Sequence, residues 1–437
     1  MVLSLTPEQI LALAPDSSSA KAGSALAGVR HWQRLGRNQT SAWGEHQGSA
    51  REPYRSCIDL TAPAFHCTCP SRKFPCKHGL GLYLTLAREP AAFPEAGTPD
   101  WVVTWLDARE KRAKKTIAPK SETSAPDEKA QAKRLAQREK KIKAGLDELE
   151  RWLGDLMRRG LALAQMQPYV YWEQMAAHMV DAQAPGLARR LRDLAGIPAS
   201  GANWQERLLA QLGKIHLLGQ AYRRIEFLSP ETQSDVRTAM GWTQGQEELL
   251  ASTGVQDEWL VLGQRIEEEE KLRVARTWLI GQNTSHPALL LQFAHVSQRL
   301  ELQLVPGTRV WGELVFFPGA FPLRVLVKTR TAAQPLLDTP CGVTVADAFD
   351  AYAEAITHNP WLETFPLLLR HVIPLYDKEK WLLRDDANDC LPFASNGNSG
   401  WQIMALSGGR PLTVFGEWNG STLFPLSVWA EERFVRL

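Results

Sequence analysis

Residues 66–78 read His66-Cys67-Thr68-Cys69-Pro70-Ser71-Arg72-Lys73-Phe74-Pro75-Cys76-Lys77-His78, which packs three thiols and an imidazole into the twelve positions from Cys67 to His78. Cysteine sulfur and histidine nitrogen are the donors that close a tetrahedral zinc site, at about 2.0–2.3 Å from the ion. Cys67 and Cys69, one residue apart, form one claw, and Cys76 and His78 form a second of the same spacing. The stretch between them is turn-rich, and Pro70 and Pro75 stiffen its return. The expected ligands are therefore Cys67, Cys69, Cys76 and His78, holding one structural Zn2+. Four protein donors leave no open position for a catalytic water.

The flanks give this cluster a frame. Tyr54 to Leu60 alternates and predicts a strand leading to the first claw. Gly79 to Ala87 sets Leu80, Tyr83, Leu84 and Ala87 on one face, which predicts a short helix with the second claw on its first turn. Cys57 and His66 lie close enough in sequence to act as spare ligands, but packing is the role expected of both. So small a unit buries little apolar surface, and metal binding worth on the order of 10–16 kcal/mol in zinc-finger peptides is expected to supply its folding energy.

Cys-x-Cys followed by Cys-x-His, set among Trp43-Gly44-Glu45, Gln47-Gly48-Ser49, Pro53-Tyr54-Arg55, Asp59-Leu60 and Pro63-Ala64-Phe65, resembles the bacterial SWIM zinc-finger family over residues 1–90. The resemblance implies a zinc-stabilised module that binds proteins or DNA. It also implies kinship with proteins found beside MoxR-type AAA+ ATPases and von Willebrand A-domain (VWA) proteins, and hence a shared complex.

Composition bounds the rest. The chain has 437 residues, 44% of them hydrophobic and 22% charged, which is material for two to four domains with real cores. A net charge of +2 gives the chain as a whole no strong pull toward nucleic acid or membrane. No apolar run approaches the roughly 18 residues of a membrane helix. Met1 to Glu8 lacks the basic and apolar regions of a signal peptide, so a cytoplasmic location and reduced thiols are expected rather than disulfides among the six cysteines.

The expected fold is multi-domain α+β, with a small ββα-like zinc module, a central helical domain and a C-terminal antiparallel β-rich α+β domain. Residues 1–90 form the zinc unit with N-terminal helices over Thr6–Leu13 and Asp16–His31. Residues 91–127 hold a helix from Trp101 to Lys115 and a linker from Thr116 to Asp127. Residues 128–281 read as helical throughout, broken at Gly160, Pro168, Pro185-Gly186, Pro198 and Gly201, with Glu267–Lys271 and Glu269–Arg273 as i,i+4 pairs on a solvated face. No self-similar period marks a repeat family.

Residues 282–437 change texture. Strands are expected at Leu289–Phe293, Leu300–Leu304, Thr308–Phe317, Leu323–Thr329, Trp381–Leu383, Gln402–Leu406, Leu412–Trp418 and Leu423–Trp429, with a helix over Thr344–Thr357. Asp385, Asp386, Asn388 and Asp389 lack the glycine and final glutamate of a calcium loop and read as a polar turn.

No phosphate loop, His-Glu-x-x-His, nucleophile elbow or dinucleotide fingerprint is present, so the expectation is a protein that is not an enzyme. Two readings remain. One is a protein-interaction adaptor. The other is a nucleic-acid-binding protein using Arg72, Lys73 and Lys77 on the knuckle together with Arg109, Lys111, Arg112, Lys114, Lys115, Lys133, Arg134, Arg138, Lys140, Lys141 and Lys143 around the linker. A charge run more often solvates a helix face, and the adaptor is the favoured reading.

Overall fold

Two short helices, α1 (Pro7–Leu11) and α2 (Ser17–Ala25), lead into four strands, β1 (Gln33–Arg37), β2 (Ser41–His46), β3 (Tyr54–Asp59) and β4 (Ala64–Cys67). The computed structural model describes residues 5–437 apart from 12, 49–50, 62, 72, 118–127, 202, 270–271, 296–303, 396 and 432, and apart from the side chains of 110–117, 128–132 and 269. Asp16 caps α2 by accepting the Ser19 N–H at 2.7 Å. The helix expected to reach His31 stops at Ala25, because Gly28 adopts φ +140° and a 3-10 turn over Val29–His31 takes its place. The strands pair in the antiparallel order β1-β2-β3-β4. Helix α3 (Lys77–Arg88) covers one face of this sheet, and α4 (Asp100–Ile117) lays Trp101, Val102, Trp105 and Leu106 against Trp43 and Cys57 on the other. A Cβ on Gly81 would sit 2.7 Å from that of Leu26, so glycine is what lets α3 approach the end of α2. The expected ββα unit is thus a four-stranded sheet between two helices.

The central region is helical from α5 (Glu128–Arg159) through α6 (Tyr169–Asp181), α7 (Pro185–Leu194), α8 (Trp204–Arg223), α9 (Pro230–Met240) and α10 (Gln246–Ala251). Each expected break falls between helices or at a helix start. Gly160 and Gly201 take positive φ, and Pro168 and Pro185 stand at helix starts where a missing N–H costs nothing. Leu149, Leu153 and Leu156 of α5 meet Leu208, Leu212, Ile215 and Leu218 of α8 around Trp172, while Met157 and Leu209 stay exposed. The helical domain ends before 281. Val255–Gly281 is a hairpin of β5 (Val255–Glu269) and β6 (Leu272–Gly281), with Glu268 opposite Arg273. Lys271 and the Glu269 side chain lie outside the described residues, and Glu267 accepts from Arg265 and Arg276. The expected i,i+4 pairs are replaced by pairs along and across strands.

Strands β7 (Pro287–His295), β8 (Thr308–Phe316) and β9 (Arg324–Arg330) complete a barrel, with β10 (Gln334–Pro335) added beside β8. β5 pairs with β6 and β8, β6 with β7, and β8 with β9, all antiparallel; β9 also runs parallel to β7, so the five strands close on themselves. Helix α11 (Val345–His358) leads to a second barrel of β11 (Phe365–Asp377), β12 (Lys380–Arg384), β13 (Cys390–Phe393), β14 (Leu412–Trp418) and β15 (Leu423–Ala430), with β16 (Arg433–Arg436) beside β15. Its pairings repeat the pattern strand for strand, and β13 closes parallel to β15 at Phe393 and Leu423. Helix α12 (Ser399–Ser407) lies between the third and fourth strands, where a strand over Gln402–Leu406 was expected. It buries Ile403 and ends at Gly408 in the left-handed conformation. Both barrels have the strand order of the OB-type Greek-key barrel. The expected strand at Leu300–Leu304 falls almost wholly outside the described residues. No helix among the described residues is long and apolar enough to cross a membrane.

The barrels are built into the rest of the chain. Trp259, Val261, Leu279 and Val310 inside the first barrel share one core with Leu5, Ile10, Phe65 and Leu80 of the N-terminal unit, and Gln9 donates to the Gly307 carbonyl at 2.7 Å. On the outer side, Leu262, Trp278 and Leu289 pack against Phe415, Leu426 and Trp429 of the second barrel. In that seam Glu417, 1% exposed, accepts the Trp278 indole N–H at 2.7 Å and pairs with Arg265 at 3.3 Å. The bundle docks through Trp361, whose indole donates to the Lys214 carbonyl, and through Asp235, which accepts the Ala320 N–H at 2.8 Å. Asp385 accepts from Val345, Ala387 and Asp389, which is the polar turn expected there.

Two outcomes follow from these joints. Glu417→Ala strands a buried indole N–H and a guanidinium and should lower stability by about 3 kcal/mol, read as a shifted urea midpoint at unchanged slope. Asp235 is pushed up to about 6 from its ordinary 3.8 by burial, which its bond from Ala320 only partly offsets. The folded chain then holds a proton that the unfolded chain has released, so stability should fall as pH rises from about 4 to about 6 and level off above. Asp235→Asn should flatten that part of a thermal-unfolding pH profile.

Candidate metal centre

Alternation along two strands decides which side chains can meet. Cys67 ends β4 opposite Ser56, while its neighbour His66 pairs with Cys57, and adjacent residues of a strand point to opposite faces. Cys67 therefore faces α3, and His66 and Cys57 face α4. His66 stacks on Trp105 with ring centroids 5.8 Å apart, and Cys57 is buried against Trp43 and Val102. Burial alone pushes the Cys57 thiol up to about 12, as expected of an inert packing cysteine. Neither of the spare candidates takes part in the site.

The second claw is positioned by helix geometry. Cys76 is the N-cap residue of α3, with extended backbone, and His78 is the second residue of the helix. Here the unpaired N–H groups and the helix dipole present partial positive charge to the sulfurs, which favours thiolate. Gly79 follows because a Cβ there would come within 2.9 Å of Phe65. His78 is buried, with the rings of His46 and Tyr54 at 4.9 Å and 5.1 Å from its own. His46 bonds through Nδ1 to the His31 carbonyl at 2.8 Å, so it packs beside the ligand imidazole with its own nitrogen committed.

The result is a single cluster. The Sγ atoms of Cys67, Cys69 and Cys76 and a ring nitrogen of His78 lie within 4.8 Å of one another, and Cys67 Sγ stands 3.7 Å from His78 Nδ1. A tetrahedron with metal–sulfur bonds of about 2.3 Å and metal–nitrogen bonds of about 2.0 Å has edges of about 3.5–3.8 Å. The donor set and spacing thus fit a four-coordinate ion. All four sequence-selected residues are brought together, on β4, the following turn and α3.

Proton affinities describe the same competition for positive charge. Hydrogen bonding with Cys69 and Cys76, together with burial, pushes Cys67 well up. Hydrogen bonds from Cys67 and Cys76 hold Cys69 far below the usual thiol range. Burial pulls His78 down, but its bonds to the sulfurs of Cys69 and Cys76 outweigh this and raise it to about 9. Protons here do the work that a cation bound by all four donors would do.

Residues 137–240, from within α5 to the end of α9, match the model of the SWIM-associated four-helix bundle domain. This stretch carries the SWIM-associated domain, and the Cys67, Cys69, Cys76 and His78 cluster is consistent with a SWIM-type metal site. No curated protein and no solved structure matches it at a significant level. The Cys3His cluster and the SWIM-associated bundle are separated in sequence by α4 and residues 118–127, and the cluster unit rests on the first barrel.

The basic residues of the knuckle divide. Lys73 pairs with Asp16 at 2.8 Å, Lys77 is exposed, and Arg72 lies outside the described residues. Arg109 pairs with Asp59 of β3 and belongs to the α4–sheet joint. The side chains of Lys111, Arg112, Lys114 and Lys115 are outside the described set. What sequence reading missed is the pair of rings around His78: His46 and Tyr54 sit opposite each other on β2 and β3, a register that only strand pairing reveals.

A metal bound here must displace protons from thiols and from His78, so its affinity should fall as pH is lowered and binding should release protons into weak buffer. Cys69→Ser or His78→Ala should abolish metal retention measured by mass spectrometry. Hydrogen exchange should then speed up over residues 54–88 while α6–α8 stay protected.

Proposed function

We propose that this SWIM protein is a non-catalytic adaptor whose Cys67, Cys69, Cys76 and His78 hold one structural zinc ion. The closed, largely buried donor set carries this reading. Three thiols and one imidazole suit zinc, four protein donors saturate it, and no position is left for substrate. The ion's task is to fix the claw of β4 against the first turn of α3. None of the six cysteines is paired in a disulfide, which suits a reducing compartment such as the cytoplasm.

An adaptor needs surfaces as well as a rigid frame. Leu163, Met166, Tyr169 and Val170 are all exposed at one end of the bundle, Met166 to 79%. Met and Tyr are frequent interface anchors. The SWIM resemblance points to an AAA+ ATPase of the MoxR type or a VWA-domain protein as the partner, and this patch is the surface we assign to it.

The test is to purify the protein without chelators, measure its zinc, and recover partners from its own lysate with and without nuclease. One zinc per chain, with nuclease-resistant partners that are lost on Met166→Asp with Tyr169→Asp, is the expected result. Partners that vanish on nuclease treatment would overturn the adaptor reading, and absence of zinc would overturn the metal assignment.

A further inference from the structure

Positive charge is concentrated in one part of this chain. Residues 109–143 hold thirteen Lys and Arg against five Asp and Glu, a net of +8 in a protein whose total is +2. Within the described residues the excess lies on the first half of α5, where Lys133, Arg134, Lys140, Lys141 and Lys143 are all exposed. Ile142 is the first buried side chain of the described part of this helix. At about 100° per residue, Lys133 and Lys140 lie opposite Ile142, Leu146 and Leu149, with Arg134 and Lys141 on one flank and Lys143 on the other. The helix therefore presents a cationic face on the side away from the bundle core.

Among the described residues no ion pair uses that charge. The acidic residues further along α5 serve other partners: Glu148 pairs with Arg151 and His178, and Asp147 and Glu150 with Arg223. Among the described ion pairs none takes up the five cations. Lys140 and Lys143 stand at i,i+3 and repel. Arg138 is different. Its guanidinium donates to the carbonyls of Gln183 and Gly241 and lies over the Trp242 ring at 3.9 Å, so it holds this stretch of α5 to the bundle.

We propose that Lys133, Arg134, Lys140, Lys141 and Lys143 of α5 bind the phosphate backbone of double-stranded nucleic acid without reading its sequence. The five cations span about 15 Å along a helix anchored by Arg138, and a duplex presents one negative charge per about 1.7 Å of its axis. A lipid surface fits less well, because an interfacial helix needs a broad apolar face and the exposed stretch from 133 to 141 offers only Leu135. An acidic protein also fits less well. A protein interface is anchored by aromatic or other large side chains in pockets, and this face carries flexible point charges instead.

The experiment is fluorescence anisotropy of a labelled 20-base-pair duplex titrated with the full-length, zinc-loaded protein across a salt series. Binding is expected with a slope of log K against log salt of about −4.5, since each of the five phosphate contacts contributes about −0.9. K140Q with K141Q should reduce the slope by about 2 and weaken binding about equally for duplexes of unrelated sequence. Lys→Arg replacements at the same two positions should restore it. The Gln variants touch no buried group, so an unchanged thermal unfolding curve will separate lost binding from lost folding.

No binding at low salt, or a slope that the Gln variants leave unchanged, would overturn the proposal. So would tighter binding, through the same residues, to phosphatidylserine vesicles or to polyglutamate than to the duplex. The outcome is independent of the adaptor reading, which is judged by partners that resist nuclease.

Discussion

The constraint on which the rest of the molecule depends is a core shared between the N-terminal unit and the first barrel. Leu5, Ile10, Phe65 and Leu80 pack with Trp259, Val261, Leu279 and Val310, so the N-terminal unit and the first barrel bury each other's apolar surface. A sheet of four short strands would otherwise leave a hydrophobic face in water. Here α3 covers that face and the barrel completes its surroundings. The second barrel then packs on the outside of the first, and Glu417 satisfies two donors in the seam. Each unit is placed by the one before it.

This arrangement explains why the two OB-type barrels need not act alike. The outer side of β5 to β7 in the first barrel is covered by Phe415, Leu426 and Trp429 of the second. One end of the second barrel instead leaves Tyr376 and Trp401 half exposed around Trp381. Identical connectivity thus gives one barrel a structural surface and leaves aromatic rings of the other open to solvent. Fold alone does not assign a function to either.

The metal centre shows local and long-range causes working together. The two claws depend on residues that are neighbours in sequence, so their spacing could be read directly. The environment of the site depends on strand register: Cys57 pairs with His66 and turns both away, while His46 and Tyr54 arrive beside His78 from β2 and β3. The dipole of α3 adds its positive end because Cys76 caps that helix. A one-residue slip between β3 and β4 would exchange the ligand for the packing residue.

Sequence by itself determined the four ligands, the helix that follows them, the breaks of the bundle and most C-terminal strands. Glycines, prolines, caps and ligand spacing act over a few residues, and those signals survive in one dimension. Tertiary structure decided the identity of Val255–Gly281, where charges spaced as on a helix belong to a hairpin. Both faces of its inner strands are buried, which erases the polar–apolar alternation of an exposed strand. It decided in the same way that Gln402–Leu406 is helical, since Ile403 is held by a barrel core assembled from distant strands. The closure of two barrels and the core joining residues 5–93 to 259–333 depend on packing between segments hundreds of residues apart. No local pattern encodes such contacts, because their energy comes from surfaces that exist only once the chain has folded.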